Sequence, residues 1–198
     1  MLYTIMDYSQ VFKNRLDEAD TSNPAFKEWF GKSQVVDDQG NPAVMYHGTV
    51  GTFDVFRRAN DLGHHFGSPD AANDRLDFWQ KYPGKNDKPN IMPVYLSIQR
   101  PISLEDTKVW DPATVAMKLS EDGVISLKEY QQVAMRSSKE TRQDILVKLL
   151  KSKGFDGAEY NNEVEGKGST SWIAFDPGQI KSVFNRGTWD RRRASINE

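Results

Sequence analysis

Gly154-Phe155-Asp156-Gly157-Ala158-Glu159-Tyr160, a polar run from Asn161 to Thr170, and then Ser171-Trp172-Ile173-Ala174-Phe175 decide the fold class. Ahead of Gly154, the residues Ile145, Leu146, Leu149 and Leu150 recur at helical spacing, and the glycine is the stop of a helix over about 138–153. Beyond it the pattern turns to two short β-rich runs joined by a loop. Further upstream, Ser126-Leu127-Lys128-Glu129 has the form of a capping box, and Asp111-Pro112 opens one more helix. Ile91 to Ile98, bounded by Pro89 and Pro101, reads as a mostly buried strand. Strands on both sides of a helical block around 111–153 predict an α+β domain, not a regular βαβ alternation.

Toward the N-terminus, residues 1–33 read as helical, ending in a short packed helix that Asn23-Pro24 starts and Phe26, Trp29 and Phe30 anchor. Val35-Val36 and Ala43-Val44-Met45-Tyr46, separated by Asp37-Asp38-Gln39-Gly40-Asn41-Pro42, predict a hairpin whose second strand delivers His47-Gly48-Thr49 at its end. Leu62-Gly63-His64-His65-Phe66-Gly67-Ser68 reads as a short strand between glycines, with Ala71-Ala72 opening a helix.

Composition narrows the chemistry. The chain has 198 residues, 37% of them hydrophobic and 27% charged, which is a globular balance. It has no cysteine, so disulfides, thiolate metal sites and a catalytic thiol are excluded. Its 26 basic and 28 acidic side chains give a net charge of −2, no electrostatic case for nucleic acid or an anionic membrane. No apolar window is long enough for a spanning helix, and the N-terminus lacks the pattern of a signal peptide. Arg191-Arg192-Arg193 reads as a solvated tail.

Three segments carry candidate chemistry. Tyr46-His47-Gly48-Thr49 runs a strand into a histidine, then a glycine that admits close approach, then a hydroxyl. His64 and His65 are adjacent in a strand, so they point to opposite faces, cannot share one metal ion, and at most one faces any cleft. Glu163 and Glu165 stand two apart in the polar loop and share a face if that stretch is extended. The glycine patterns of Rossmann and P-loop nucleotide sites are missing.

Together these segments resemble a known family. Tyr46 to Thr49, Gly63-His64-His65-Phe66-Gly67, Pro93-Val94-Tyr95-Leu96 leading to Arg100-Pro101-Ile102, Gly154 to Gly157, Asn162 to Gly166 and Ser171 to Ser182 are similar, in order and spacing, to the ADP-ribosyltransferase domain of phage polyvalent proteins. That domain is a relative of the diphtheria-toxin and poly(ADP-ribose) polymerase branch. The resemblance spans about residues 24–184 and implies an ADP-ribosyltransferase-like split β-sandwich with N-terminal helices and a helical insertion around 111–153. It also implies one domain over 1–198: a helical lead-in 1–33, a catalytic core 34–184 and a basic tail 185–198.

The resemblance further implies NAD as substrate, with no metal. By it, His47 hydrogen-bonds a ribose hydroxyl, Gly48 grips the nicotinamide amide through its backbone, and Thr49 lies beside the adenosine half. His65, with Phe66 next to it, stands where the branch has a tyrosine stacked on nicotinamide, and Ser171 where it has a glutamate. Glu165 then supplies the carboxylate, with Glu163 the other candidate. Arg57 and Arg58 are candidate partners of the diphosphate as planar bidentate donors. The activity implied is mono-ADP-ribosylation of a protein side chain by a monomer, in the cytoplasm or delivered into a host cell as a phage or bacterial effector or toxin. Nothing in the residues singles out ubiquitin as acceptor. An NAD glycohydrolase and a non-catalytic NAD or ADP-ribose binder are the alternatives.

Overall fold

The structure, a computed structural model, describes residues 19–57, 61–80, 88–185 and 187–198. The helical reading of residues 1–18 lies outside them, as does Arg58. Helix α1 (Pro24–Phe30) starts as its sequence dictates: Asn23 Oδ1 accepts from the Ala25 N–H at 2.8 Å and Pro24 fills the first position. Its buried Phe26, Trp29 and Phe30 meet Tyr95 and Trp189 in an aromatic cluster. Each such side chain contributes about 1.5–3 kcal/mol by leaving water.

The strands form two sheets. Strand β1 (Met45–Val50), β3 (Pro89–Leu96) and β7 (Ile180–Ser182) make an antiparallel sheet in the order β1-β3-β7. The second sheet runs β2 (His64–Phe66), β6 (Thr170–Ala174), β5 (Gly157–Asn161), β4 (Pro101–Leu104), parallel only between β4 and β5. Between β2 and β3 lies α2 (Pro69–Gln80); between β4 and β5 lie α3 (Pro112–Glu121), α4 (Leu127–Ala134) and α5 (Lys139–Ser152). All three helices of that block open on side-chain caps, Asp111 and Ser126 with Glu129 as their sequence announces, and Ser138.

Alternation along β6 splits the core in two. Trp172 and Ala174 join Met45, Val94, Leu96 and Ile180 between the sheets, whereas Ile173 joins Ala158, Leu146 and Leu150 under the helical block. The α+β architecture with its helical insertion is therefore as the sequence implies.

The predicted hairpin is reduced to a single bridge, Val36 to Pro42. Pro42 has no N–H to extend a ladder, and the Gln34 N–H bonds Ile98 instead. Strand β1 pairs with β3 along its whole length, so His47-Gly48-Thr49 lies inside a strand, not at its end. Arg191, Arg192 and Arg193 are exposed as read, but the segment around them is held in place: Trp189 and Ile196 are buried, and buried Lys181 donates from Nζ to the carbonyls of Arg193 and Ser195 at 3.1 and 2.7 Å.

Candidate active site

The two sheets are joined by backbone where Tyr46 and Gly67 exchange hydrogen bonds of 2.9 and 3.0 Å. Past that bridge no further backbone pairing joins β1 and β2 among the described residues. The His47 imidazole takes the place of the missing ladder, its Nδ1 lying 2.8 Å from the His65 carbonyl. A carbonyl only accepts, so Nδ1 carries the proton; burial lowers the pKa of His47, and the neutral ring leaves Nε2 as an acceptor. Because ladder bonds alternate, the Gly48 N–H and C=O point to the side that Tyr46 uses for Gly67, into the gap. Gly48 also has a packing duty: a Cβ there would run into the Ala72 carbonyl oxygen of α2.

The gap is a cleft of about 240 Å³ lined by His47, Gly48, His65, Arg75, Glu165 and Ser171 among others. Pockets for whole drug-sized ligands run from roughly 300 Å³ upward, so part of a dinucleotide fits inside and the rest lies along the mouth.

On β2 the two histidines face opposite sides, as alternation requires. His64 packs on Phe56, 5.1 Å between ring centres, and His65 packs on Trp110 and Tyr160 at 5.1 and 5.8 Å. Both nevertheless line the cleft, because the strand is three residues long and the gap opens along its edge. Burial lowers His64 to about 4 and His65 to about 3, so both rings are neutral near pH 7. His65 Nδ1 sits 3.1 Å from the Tyr160 hydroxyl, while its buried Nε2 has no hydrogen-bond partner among the described residues.

The β5–β6 loop brings a carboxylate in from the opposite wall. Buried Asn162 donates from Nδ2 to Ser171 Oγ at 3.1 Å, and its Oδ1 accepts from the N–H groups of Val164 and Glu165 at 3.1 and 2.9 Å. The loop then docks on α2: the Gly166 N–H donates to Asp74 Oδ2 at 2.8 Å, and Glu165 Oε1 lies 3.4 Å from Arg75 Nη1. Gly166 has φ +61, and a Cβ would come within 2.8 Å of the Ala71 nitrogen, so only glycine permits this approach. Burial raises the pKa of Glu165, with Arg75 opposing. Within the described residues no group of three or more His, Cys, Asp or Glu is placed to hold a metal.

Residues 37–189 match the family described as ADP-ribosyltransferase in polyvalent proteins. The chain belongs to this ADP-ribosyltransferase family. No curated protein matches the chain. A solved structure titled "Crystal structure of an anti-CRISPR protein" is similar at 12% identity and a TM-score of 0.32, covering 67% of this chain and 88% of that one, a likeness too low to carry an argument.

This ADP-ribosyltransferase domain gathers His47, Gly48, His65, Phe66, Glu165 and Ser171 around one cleft. The loop is bent, not extended, so Glu163 and Glu165 do not share a face. Glu163 is not among the residues lining the cleft; it pairs with Lys108 at 3.3 Å and its N–H donates to Asp106, both of which line it. Arg57 is exposed and meets the site through its backbone, which bonds the His64 ring. Thr49 and Arg57 are not among the residues lining the cleft. Sequence reasoning missed Arg75, Asn162, Tyr160 and Trp110. Arg75 had a signal, since it follows Ala71 by one helical turn on a face of small and apolar residues.

Proposed function

We propose that the cleft binds NAD and that the protein transfers its ADP-ribose to a protein side chain, releasing nicotinamide, as an effector acting on a cellular target. The observation that carries this reading is Glu165 held in the same cleft as the His47 ring and the Gly48 backbone. In the reaction the bond between the nicotinamide nitrogen and ribose C1′ breaks, its electron pair leaving with nicotinamide. Positive charge grows on C1′ and the ring oxygen. A nucleophile of the acceptor forms the new bond to C1′ and gives up its proton to solvent.

Glu165 supplies a fixed anion near the developing charge, acting through the ribose 2′-hydroxyl, and partial burial strengthens that interaction over its value in water. His47 Nε2 accepts from a ribose hydroxyl, and the Gly48 backbone takes the carboxamide of nicotinamide. Ser171 cannot supply an anion; its hydroxyl holds the Asn162 amide. The test follows free nicotinamide and labelled protein together, in a cell lysate supplied with tagged NAD. Release with labelling supports transfer; release alone makes the protein a glycohydrolase, and neither makes it a binder. Glu165→Gln is expected to slow nicotinamide release about 100-fold or more with NAD affinity held, by the size of a lost transition-state contact. Near-normal turnover in that variant overturns the assignment.

A further inference from the structure

Arg75 of α2 lines the cleft and faces Glu165 of the β5–β6 loop at 3.4 Å. Its charge acts on His47 of β1, Asp61 ahead of β2, His65 of β2, Tyr160 of β5 and Glu165 of the β5–β6 loop. If NAD is cleaved here, that placement works against the chemistry twice. A cation beside the ribose opposes the positive charge that forms there, and its pairing with Glu165 offsets the anion meant to stabilise it. The pairing itself is loose, a 3.4 Å contact between side chains 43% and 31% exposed, and pairs this wet hold little. A diphosphate offers the guanidinium two negative charges and a grip by two parallel N–H groups, against the single long contact it makes with Glu165.

We propose that Arg75 binds the diphosphate of NAD and in doing so is drawn off Glu165, so that the field of the carboxylate at the ribose is no longer offset by the guanidinium once the dinucleotide is in place. Resting on the NAD reading, the proposal makes Arg75 both an affinity residue and a latch that discriminates phosphorylated donors. It moves the diphosphate role from Arg57, whose side chain is exposed outside the cleft, to a residue of α2 that lines it. The substrate brings its own neutraliser: with the diphosphate on Arg75, the local field at C1′ is set by Glu165.

The test compares NAD with nicotinamide riboside, which has the same scissile bond and no phosphate. Calorimetry on the wild type, Arg75→Gln and Arg75→Lys is expected to show a loss of about 10- to 100-fold in NAD affinity for Arg75→Gln, the size of a charge-assisted contact, and an intermediate loss for Arg75→Lys. Affinity for the riboside should not change. At mildly alkaline pH, Arg75→Gln should cleave the riboside several-fold faster than the wild type, because the carboxylate is no longer held. A merely structural arginine would give the opposite, with both ligands weakened together and riboside cleavage slowed, and that result overturns the proposal. So does unchanged NAD affinity in Arg75→Gln. A wild type that binds neither compound overturns the NAD reading itself and the assignment with it.

Discussion

The carboxamide of Asn162 bonds in three directions, to Ser171 Oγ and to the N–H groups of Val164 and Glu165. Its own backbone closes the neck of the loop, N–H to the Ser169 carbonyl at 2.9 Å and C=O from the Gly168 N–H at 2.8 Å. The residue therefore fixes where Glu165 starts, and it does so without touching the reacting atoms. Asn162→Ala should lower kcat by about 10- to 100-fold while NAD affinity stays within a few-fold, since misplacement by about 1 Å is enough to cost that much. A matching rise in KM, or a large loss of thermal stability with unchanged kcat, would reduce Asn162 to a packing residue. Asn162→Asp keeps the acceptor for the two N–H groups but loses the donor to Ser171 and adds a second negative charge near Glu165, so it should not restore the rate.

Strand β2 puts two neutral histidines into the fold, and its pH response follows from that. The ordinary histidine pKa is 6.5, and burial lowers His64 to about 4 and His65 to about 3. Below about pH 6.5 the unfolded chain takes up protons that the folded strand refuses, so their stabilising effect is full above that pH and is lost as the pH falls toward the folded values. Glu165 and Asp61 act with the opposite sign, because burial raises both and protonation relieves them. Urea midpoints at about pH 7 and about pH 4.5 should therefore fall more steeply for the wild type than for His64→Gln. Equal slopes would mean that His64 is not buried as a neutral ring. Elements of this kind were unevenly legible in the sequence. The caps at Asp111, Ser126 and Ser138 sit within a few residues of the groups they bond, so the helices could be read locally. The partner of β1 could not, because Val36 and Met92 compete for it and the choice rests on Pro42 and on packing far along the chain. The same holds for the cleft: His47 and Glu165 stood out by type, whereas Arg75, Tyr160 and Trp110 matter only because distant segments meet.

At the scale of the molecule, the C-terminal segment braces the site. Ser195 pairs with Val55, the Ile196 N–H donates to the Asp54 carbonyl at 2.7 Å, and Lys181 holds the segment from below. That loop carries Phe53 and Phe56, whose rings stand 6.5 and 5.1 Å from His47. Arg191 adds a tie of its own, 3.7 Å from Asp156. Lys181→Ala should free the segment, raising the rate of tryptic cleavage at Arg191 to Arg193 and lowering nicotinamide release through the loosened Phe56 wall. Cleavage no faster than in the wild type would show that the apolar contacts of Trp189 and Ile196 hold the segment without the lysine.

This brace joins parts of the chain that leave the ribosome far apart in time. The loop around His47 is made early, but the residues that pin it follow much later in the chain, so the pocket closes only after that long-range pairing is complete. A growing chain thus carries the sequence of the site without its geometry.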